Sequence, residues 1–136
     1  MDMDAALKIA ASGMAAQSAR LRVVAENIAN AETTGSSPGA APYRRRAVTF
    51  AERMDRAAGV ATVRVARVAD APGEGPLKYD PAHPAADRRG YVRMPNVDPF
   101  IEQMDMRAAE RGYAANVAVV QATRGILSRT LDLLRG

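Results

Sequence analysis

The chain has 136 residues, 48% of them hydrophobic but only 4% aromatic, with 19 basic and 15 acidic side chains giving a formal charge of +4. That length suits one ordinary domain, and the shortage of large side chains argues against a thick globular core and for narrow helix–helix seams built on alanine. Cysteine is absent, which excludes disulfides and thiolate metal sites, while the basic balance keeps nucleic acid and acidic surfaces open as partners.

The first segment, "MDMDAALKIAASGMAAQ", begins acidic and lacks the unbroken apolar stretch of a secretory signal. No apolar run approaches the length needed to cross a bilayer, so direct membrane insertion is not expected. Leu7, Met14, Leu21 and Ile28 recur every seven residues. Met3, Ala10, Gln17, Val24 and Ala31 form a companion set, and the alternating spacing predicts a helix with a coiled-coil-like seam. From Met3 to Ala31 it would be roughly 43 Å long. The seam is thin, and Gly13 weakens the helix by about 1 kcal/mol relative to alanine.

The helical pattern ends in "ENIANAETTG", which sets Asn27 and Asn30 three residues apart before a Thr/Gly break. Asn27, beside the seam, can fix register by penalising every alignment that leaves its amide unpaired. Alternatively both asparagines simply cap a fraying last turn, since asparagine tolerates left-handed backbone. The next stretch, "GSSPGAAPYRRR", reads as a loop on its Gly, Ser and Pro content. "AVTFAERM" is short and ambiguous, whereas "GVATVRVARV" has β-branched residues in partial alternation and predicts a strand. "ADAPGEGP" is a turn. Proline and glycine punctuate "LKYDPAHPAADRRGYVRMP", leaving room for short strands at Leu77 to Tyr79 and Tyr91 to Arg93.

"MPNVDPF" then starts a second long helix, with Asp98 as cap and Pro99 at the first helical position. Met106, Tyr113, Val120, Leu127 and Leu134 repeat every seven, joined by Val117 and Leu131. A second stripe runs beside them through Ile101, Met104, Ala108, Ala115, Val119, Ala122 and Ile126, so this helix, about 55 Å long, can touch more than one neighbour. The expected fold is mainly α with a small β insert. A helical segment spans 1–34, a loop and short β-hairpin region spans 35–94, and a second helical segment spans 95–136, all as one structural unit. If the two helices pair antiparallel, opposed residue numbers total roughly 129, which sets Asn27 opposite the region of Glu102 rather than opposite Asn116. Asn116, beside Val117, is either a second register-setting amide or a solvated position.

The remaining constellations are weak as chemistry. Tyr43 to Arg46 forms a basic cluster that, with Arg64, Arg67, Arg88 and Arg89, could make a nucleic-acid patch. Stacking aromatics are scarce, and a solvated face, or arginines facing acidic neighbours, is the plainer reading. His83 is the only histidine, with Asp80 and Asp87 nearby, but no second histidine or phosphate-binding loop accompanies it. It reads as a surface histidine in a proline-punctuated loop. Ser12 and Ser128 lie in helical patterns without a base, and Met94, Met104 and Met106 read as packing residues. Nothing points to a catalytic residue, a cofactor or a metal site.

The two ends carry a resemblance. "SGMAAQSARLRVVAENIANAETTG" resembles the N-terminal motif of bacterial flagellar axial proteins, which includes an Asn-x-x-Asn ending in a Thr/Gly turn. "GYVRMPNVDPFIEQMDMRAAERGYAANVAVVQATRGILSRTLDLL" is similar to the proximal-rod subtype of that family, and "PYRRRAVTF" and "PAHPAADRRGYV" also fit. The matching positions are Asn27, Asn30, Thr34 and Gly35, then Met94, Pro95, Asn96, Val97, Asp98, Asp105, Met106, Arg111, Tyr113, Asn116 and Val117. "GSSPGAAPY" is variable, and His83 departs from the small polar residue expected there. The resemblance implies a structural protein without enzymatic activity or cofactor. It implies export through the flagellar type III apparatus and helical stacking of copies in the periplasm-spanning rod of the basal body. The terminal helices would form the inner core, poorly ordered before assembly. Partners so implied are other proximal rod proteins, the rod-junction protein, the distal rod and further copies of the chain, not nucleic acid. On this reading alanine at both Asn27 and Asn30 weakens assembly more than it weakens the monomer.

Overall fold

A computed structural model describes residues 2–136. Its elements in chain order are α1 (Met3–Ala29), β1 (Arg46–Asp55), β2 (Val60–Asp70), β3 (Leu77–Tyr79), β4 (Tyr91–Arg93) and α2 (Pro99–Arg135). Two long helices therefore flank a β insert made of two two-stranded sheets, β1-β2 and β3-β4. Among the described residues no helix is long and apolar enough to cross a membrane.

Local chemistry explains the boundaries. α1 draws on good helix formers and ends where Asn30 takes over: its backbone and side-chain N–H groups both donate to the Glu26 carbonyl, at 3.0 and 2.9 Å. The Thr33 hydroxyl donates in turn to Asn30 Oδ1 at 3.0 Å, so Asn30 is the cap that one of its two readings proposed. α2 begins as its sequence predicts. Pro99 occupies the first turn, and Asp98 Oδ1 accepts from the Phe100 N–H at 3.0 Å.

"AVTFAERM", ambiguous from sequence, is most of β1. Its partner is β2, and the link between them is closed by Asp55, whose Oδ1 accepts from the N–H groups of Ala57 and Ala58. Gly59 supplies the left-handed residue of that turn with φ at 66°. β3 and β4 pair antiparallel with Leu77 opposite Arg93, Lys78 opposite Val92 and Tyr79 opposite Tyr91. The two tyrosine rings meet edge to face, their centroids 5.3 Å apart.

The chain folds as two compact units. The first comprises residues 2–21, Thr49–Arg67 and Arg107–Gly136; the second comprises Arg22–Val48 and Val68–Met106. In the first, the interior is built from Ala5, Ala10, Ala16 and Ala109 with Thr123. A Cβ at Gly13 would lie 2.6 Å from the Asn116 amide nitrogen, and one at Gly112 would lie 2.9 Å from Gln17 Nε2. The helices thus approach closely where glycine on one meets an amide on the other. In the second unit Val23, Val24, Val92 and Pro95 are buried beside two polar residues, Asn27 and Glu102.

The inward face of α2 differs from the seam expected of it. Glu102, Ala109 and Thr123 are buried and Asn116 is half-buried, whereas Tyr113, Leu127, Leu131 and Leu134 are exposed. Met106, Val117 and Val120 flank the contact, half-buried. On α1 the interior residues are likewise Ala10, Ala16, Val23, Val24 and Asn27, with Leu7, Met14, Leu21 and Ile28 half-buried beside them. The reason is steric. An approach close enough to set Gly13 against Asn116 admits only small or short side chains, so the larger ones turn to the flanks.

Candidate functional site

A dense polar node lies in the second unit, where the end of α1, the segment 43–46 and the start of α2 converge. Asn27 is fully buried at its centre. Its Nδ2 donates to the Arg46 carbonyl at 2.8 Å, and its Oδ1 accepts from the Arg46 N–H at 2.9 Å. The side-chain amide therefore pairs with Arg46 as a strand residue would. Oδ1 also accepts from the Tyr43 hydroxyl at 2.8 Å, and Nδ2 also donates to Glu102 Oε2 at 3.2 Å. Both donors and both lone pairs of the amide are engaged, all within one chain. Asn27 is the register-setting residue rather than a member of a fraying turn.

Glu102 is the second fully buried polar side chain. Its Oε1 accepts from Arg45 Nε, and the same guanidinium reaches Asp105 Oδ2 at 3.2 Å. A charge in the interior is tolerated only when paired and hydrogen-bonded, and both carboxylate oxygens here have a donor. Arg45 is held in place through its backbone, because its N–H donates to Asn96 Oδ1 at 2.7 Å. The Asn96 amide nitrogen donates onward to the carbonyls of Ala71 and Gly73, both at 3.1 Å. Burial lifts the Tyr43 phenol above its usual pKa, with the charge of Glu26 pushing the same way. In the loop before β4, the Tyr91 N–H, donated to Oδ1, holds the Asp87 carboxyl below its usual range.

The node accounts for the basic cluster. Arg44 donates to the Gly73 carbonyl at 2.8 Å, Arg45 joins Glu102 and Asp105, and Arg46 lies 3.3 Å from Glu26. These arginines face acidic and carbonyl neighbours, which leaves the nucleic-acid reading without its core. Among the described residues no group of histidine, aspartate and glutamate could hold a metal ion. His83 is tied into the second unit, its Nε2 lying 3.1 Å from the Thr34 hydroxyl.

The other residues singled out in the sequence fall into two sets. Asn27, Asn96, Asp98 and the half-buried Met94 belong to the node or its immediate frame. In the first unit, Asn116 Nδ2 donates to the Gly112 carbonyl at 2.9 Å while its side chain fills the space left by Gly13. Both amides thus have partners within one chain. Arg111, Tyr113, Leu127 and Leu131 face outward on α2. Tyr43 and Arg45 were not identifiable as node residues beforehand. Three consecutive arginines look alike in sequence, and what selects the middle one is the grip of Asn96 and Asn27 on the backbone of Arg45 and Arg46.

The relatives of the chain give this architecture its setting. The family described as "Flagella basal body rod protein" matches residues 7–35, and that described as "Flagellar basal body rod FlgEFG protein C-terminal" matches residues 88–133. The two matches coincide with α1 and its cap and with β4 through α2. The flagellar basal-body rod protein FlgC of Agrobacterium fabrum is 50% identical over 133 residues, covering 98% of this chain and 96% of that one. FlgC of Salmonella typhimurium is 42% identical over 127 residues, 92% of each chain. FlgC of Aquifex aeolicus is 41% identical over 134 residues, 97% of each. Similarity at this level over the whole length, with Asn27, the Asn30 cap and the Met94 to Asp98 run inside the matched segments, means that the chain belongs to the FlgC family of flagellar basal-body rod proteins and is a structural subunit of the basal body rather than an enzyme.

Proposed function

We propose that copies of the chain stack helically in the proximal part of the rod through their terminal helices and carry torque along it. Segments 1–34 and 95–136 act as the axial parts and 35–94 as the insert between them. In this reading the neighbours are further copies, other proximal rod proteins, the rod-junction protein and the distal rod. The helices pack against them in coiled-coil-like fashion after export by the flagellar type III route into the periplasm.

The observation that carries the proposal is the outer surface of α2 in the first unit. Val119, Ile126, Leu131 and Leu133 are 44 to 82% exposed, on a helix whose inward face is only alanine, amide and threonine. Leucine and isoleucine at that density on a water-facing helix mark a surface that is covered in use. Leu7, Met14, Leu21, Ile28, Met106, Arg111, Tyr113, Val117, Val120 and Leu127 are assigned to the same assembly contacts.

The test is a pair of charged substitutions, Val119→Lys and Ile126→Glu. Each is expected to leave the thermal melt of the purified chain within about 0.5 kcal/mol of the parent, because the side chains are exposed. Each is expected to abolish motility and yield basal bodies that lack a rod when imaged. Motile cells with intact rods would overturn the assignment of this face.

A further inference from the structure

His83 stands in the loop between β3 and β4, and the established role of the chain makes no use of it. Its ring bridges two backbone segments of the second unit. Nδ1 accepts a hydrogen bond from the Ala85 N–H at 3.0 Å, and Nε2 lies 3.1 Å from the hydroxyl of Thr34, just past the cap of α1. The backbone around the ring is closed as well, with the His83 N–H donating to the Asp80 carbonyl and the Ala86 N–H to the His83 carbonyl.

An amide N–H can only donate. The Ala85 contact therefore requires an unprotonated Nδ1, which puts the single proton of the neutral ring on Nε2, aimed at the Thr34 oxygen. An imidazolium carries protons on both nitrogens and cannot accept from Ala85. We infer that His83 is a proton-sensitive clip, which in its neutral form closes the 83–85 turn by accepting from the Ala85 N–H, and which on protonation gives up that bond while Nε2–H keeps its hold on Thr34. It is a property of the second unit alone and goes beyond the rod reading.

The charged groups lining the small cavity beside the ring are Glu32 from the segment after α1, Lys78 from β3 and Asp80 from the loop, while Val92 and Met94 close the β4 side. Glu32 and Asp80 can attract an imidazolium, and Lys78 repels one. None of them can return the acceptor that Nδ1 loses, so the direction of the switch is set by the Ala85 bond, made by the neutral ring and lost by the imidazolium. Asp87, at the far end of the loop, accepts from the Arg89 and Tyr91 N–H groups and keeps that end closed independently of His83.

The experiment uses the full chain and nuclear magnetic resonance. Ring nitrogen shifts at pH 8 are expected to report the Nε2–H tautomer, and the protection of the Ala85 amide against exchange is expected to fall roughly tenfold as the ring titrates. His83→Asn places an uncharged acceptor oxygen near the position of Nδ1, so its Ala85 protection is expected to persist through the same acid range. An Nδ1–H tautomer in the unsubstituted chain, or Ala85 protection that ignores the ring titration, overturns the inference whether or not the variant folds. Equal acid sensitivity in a folded His83→Asn chain does the same.

Discussion

Truncating Asn27 to alanine tests the node most directly. The substitution removes four hydrogen bonds at once, two to the Arg46 backbone, one from Tyr43 and one to Glu102 Oε2. Each is worth about 1 kcal/mol net, and the partners left behind are deprived of a bond in a site that water does not reach, so a loss of ~3–5 kcal/mol follows. For a chain of this size that shifts the melting midpoint by roughly 10–17 °C. Asn30→Ala removes one side-chain bond to the Glu26 carbonyl and one from Thr33 at a half-exposed cap, and about 1 kcal/mol is expected. Denaturant melts of the two variants and the parent chain measure both numbers. Because every Asn27 bond is internal to the chain, the monomer itself is expected to lose this stability. An Asn27→Ala chain that melts within about 1 kcal/mol of the parent would refute the node as a stabilising element.

Four further outcomes follow from the geometry of the two units. Arg45→Ala leaves the Glu102 carboxylate buried without its cation and is expected to cost ~3–5 kcal/mol, and Arg45→Lys recovers only part of it because an ammonium cannot span Glu102 and Asp105 as the guanidinium does; denaturant melts of both variants test this. Gly75→Ala would drive a Cβ into the Met94 carbonyl oxygen, a backbone atom that cannot step aside, so a loss of more than about 3 kcal/mol is expected. Gly112→Ala meets only the movable end of Gln17, and its melt should stay within about 1 kcal/mol of the parent because the gain in helix propensity offsets the contact. Because the Tyr43 phenol titrates above its ordinary 10.0 in the folded chain, the neutral hydroxyl contributes stability that is complete below that pH and lost as pH rises through the raised value. Melts between pH 8 and 11 should therefore decline more steeply for the parent than for Tyr43→Phe.

Much of the scaffold could be read in advance. The α2 start came from Asp98 and Pro99, and both short strands from their flanking turns. Antiparallel pairing with residue numbers totalling roughly 129 is met in the second unit by Asn27 with Glu102, and in the first by Gly13 with Asn116 and Gln17 with Gly112. What resisted reading has physical causes. β1 hides in "AVTFAERM" because much of its surface is exposed, so the strand need not alternate. The inward face of α2 was misplaced because hydropathy favours Tyr113 and Leu127, while the contact distance selects Ala109, Asn116 and Thr123. Composition had pointed to alanine seams; applied residue by residue, the same argument would have found that face.

The two units bury different chemistry, and the difference bears on how such a chain can serve as a building block. Alanine removes little apolar area from water, so a seam of Ala5, Ala10, Ala16 and Ala109 contributes weakly, at about 25 cal/mol per Å². Hydrogen bonds at the node are directional, and a slip of one residue along α2 would move Glu102 away from Arg45 and leave both Asn27 and a carboxylate unmatched. Weak apolar burial in the first unit and strict polar matching in the second divide two tasks that one large core would combine. The polar node specifies register within the chain without needing a neighbour. The slender alanine seam leaves Val119, Ile126 and Leu133 uncovered, so the strongest remaining gain in burial lies outside the chain. On the proposed stacking, a core that had drawn those residues inward would have made a firmer monomer and left less to gain from association.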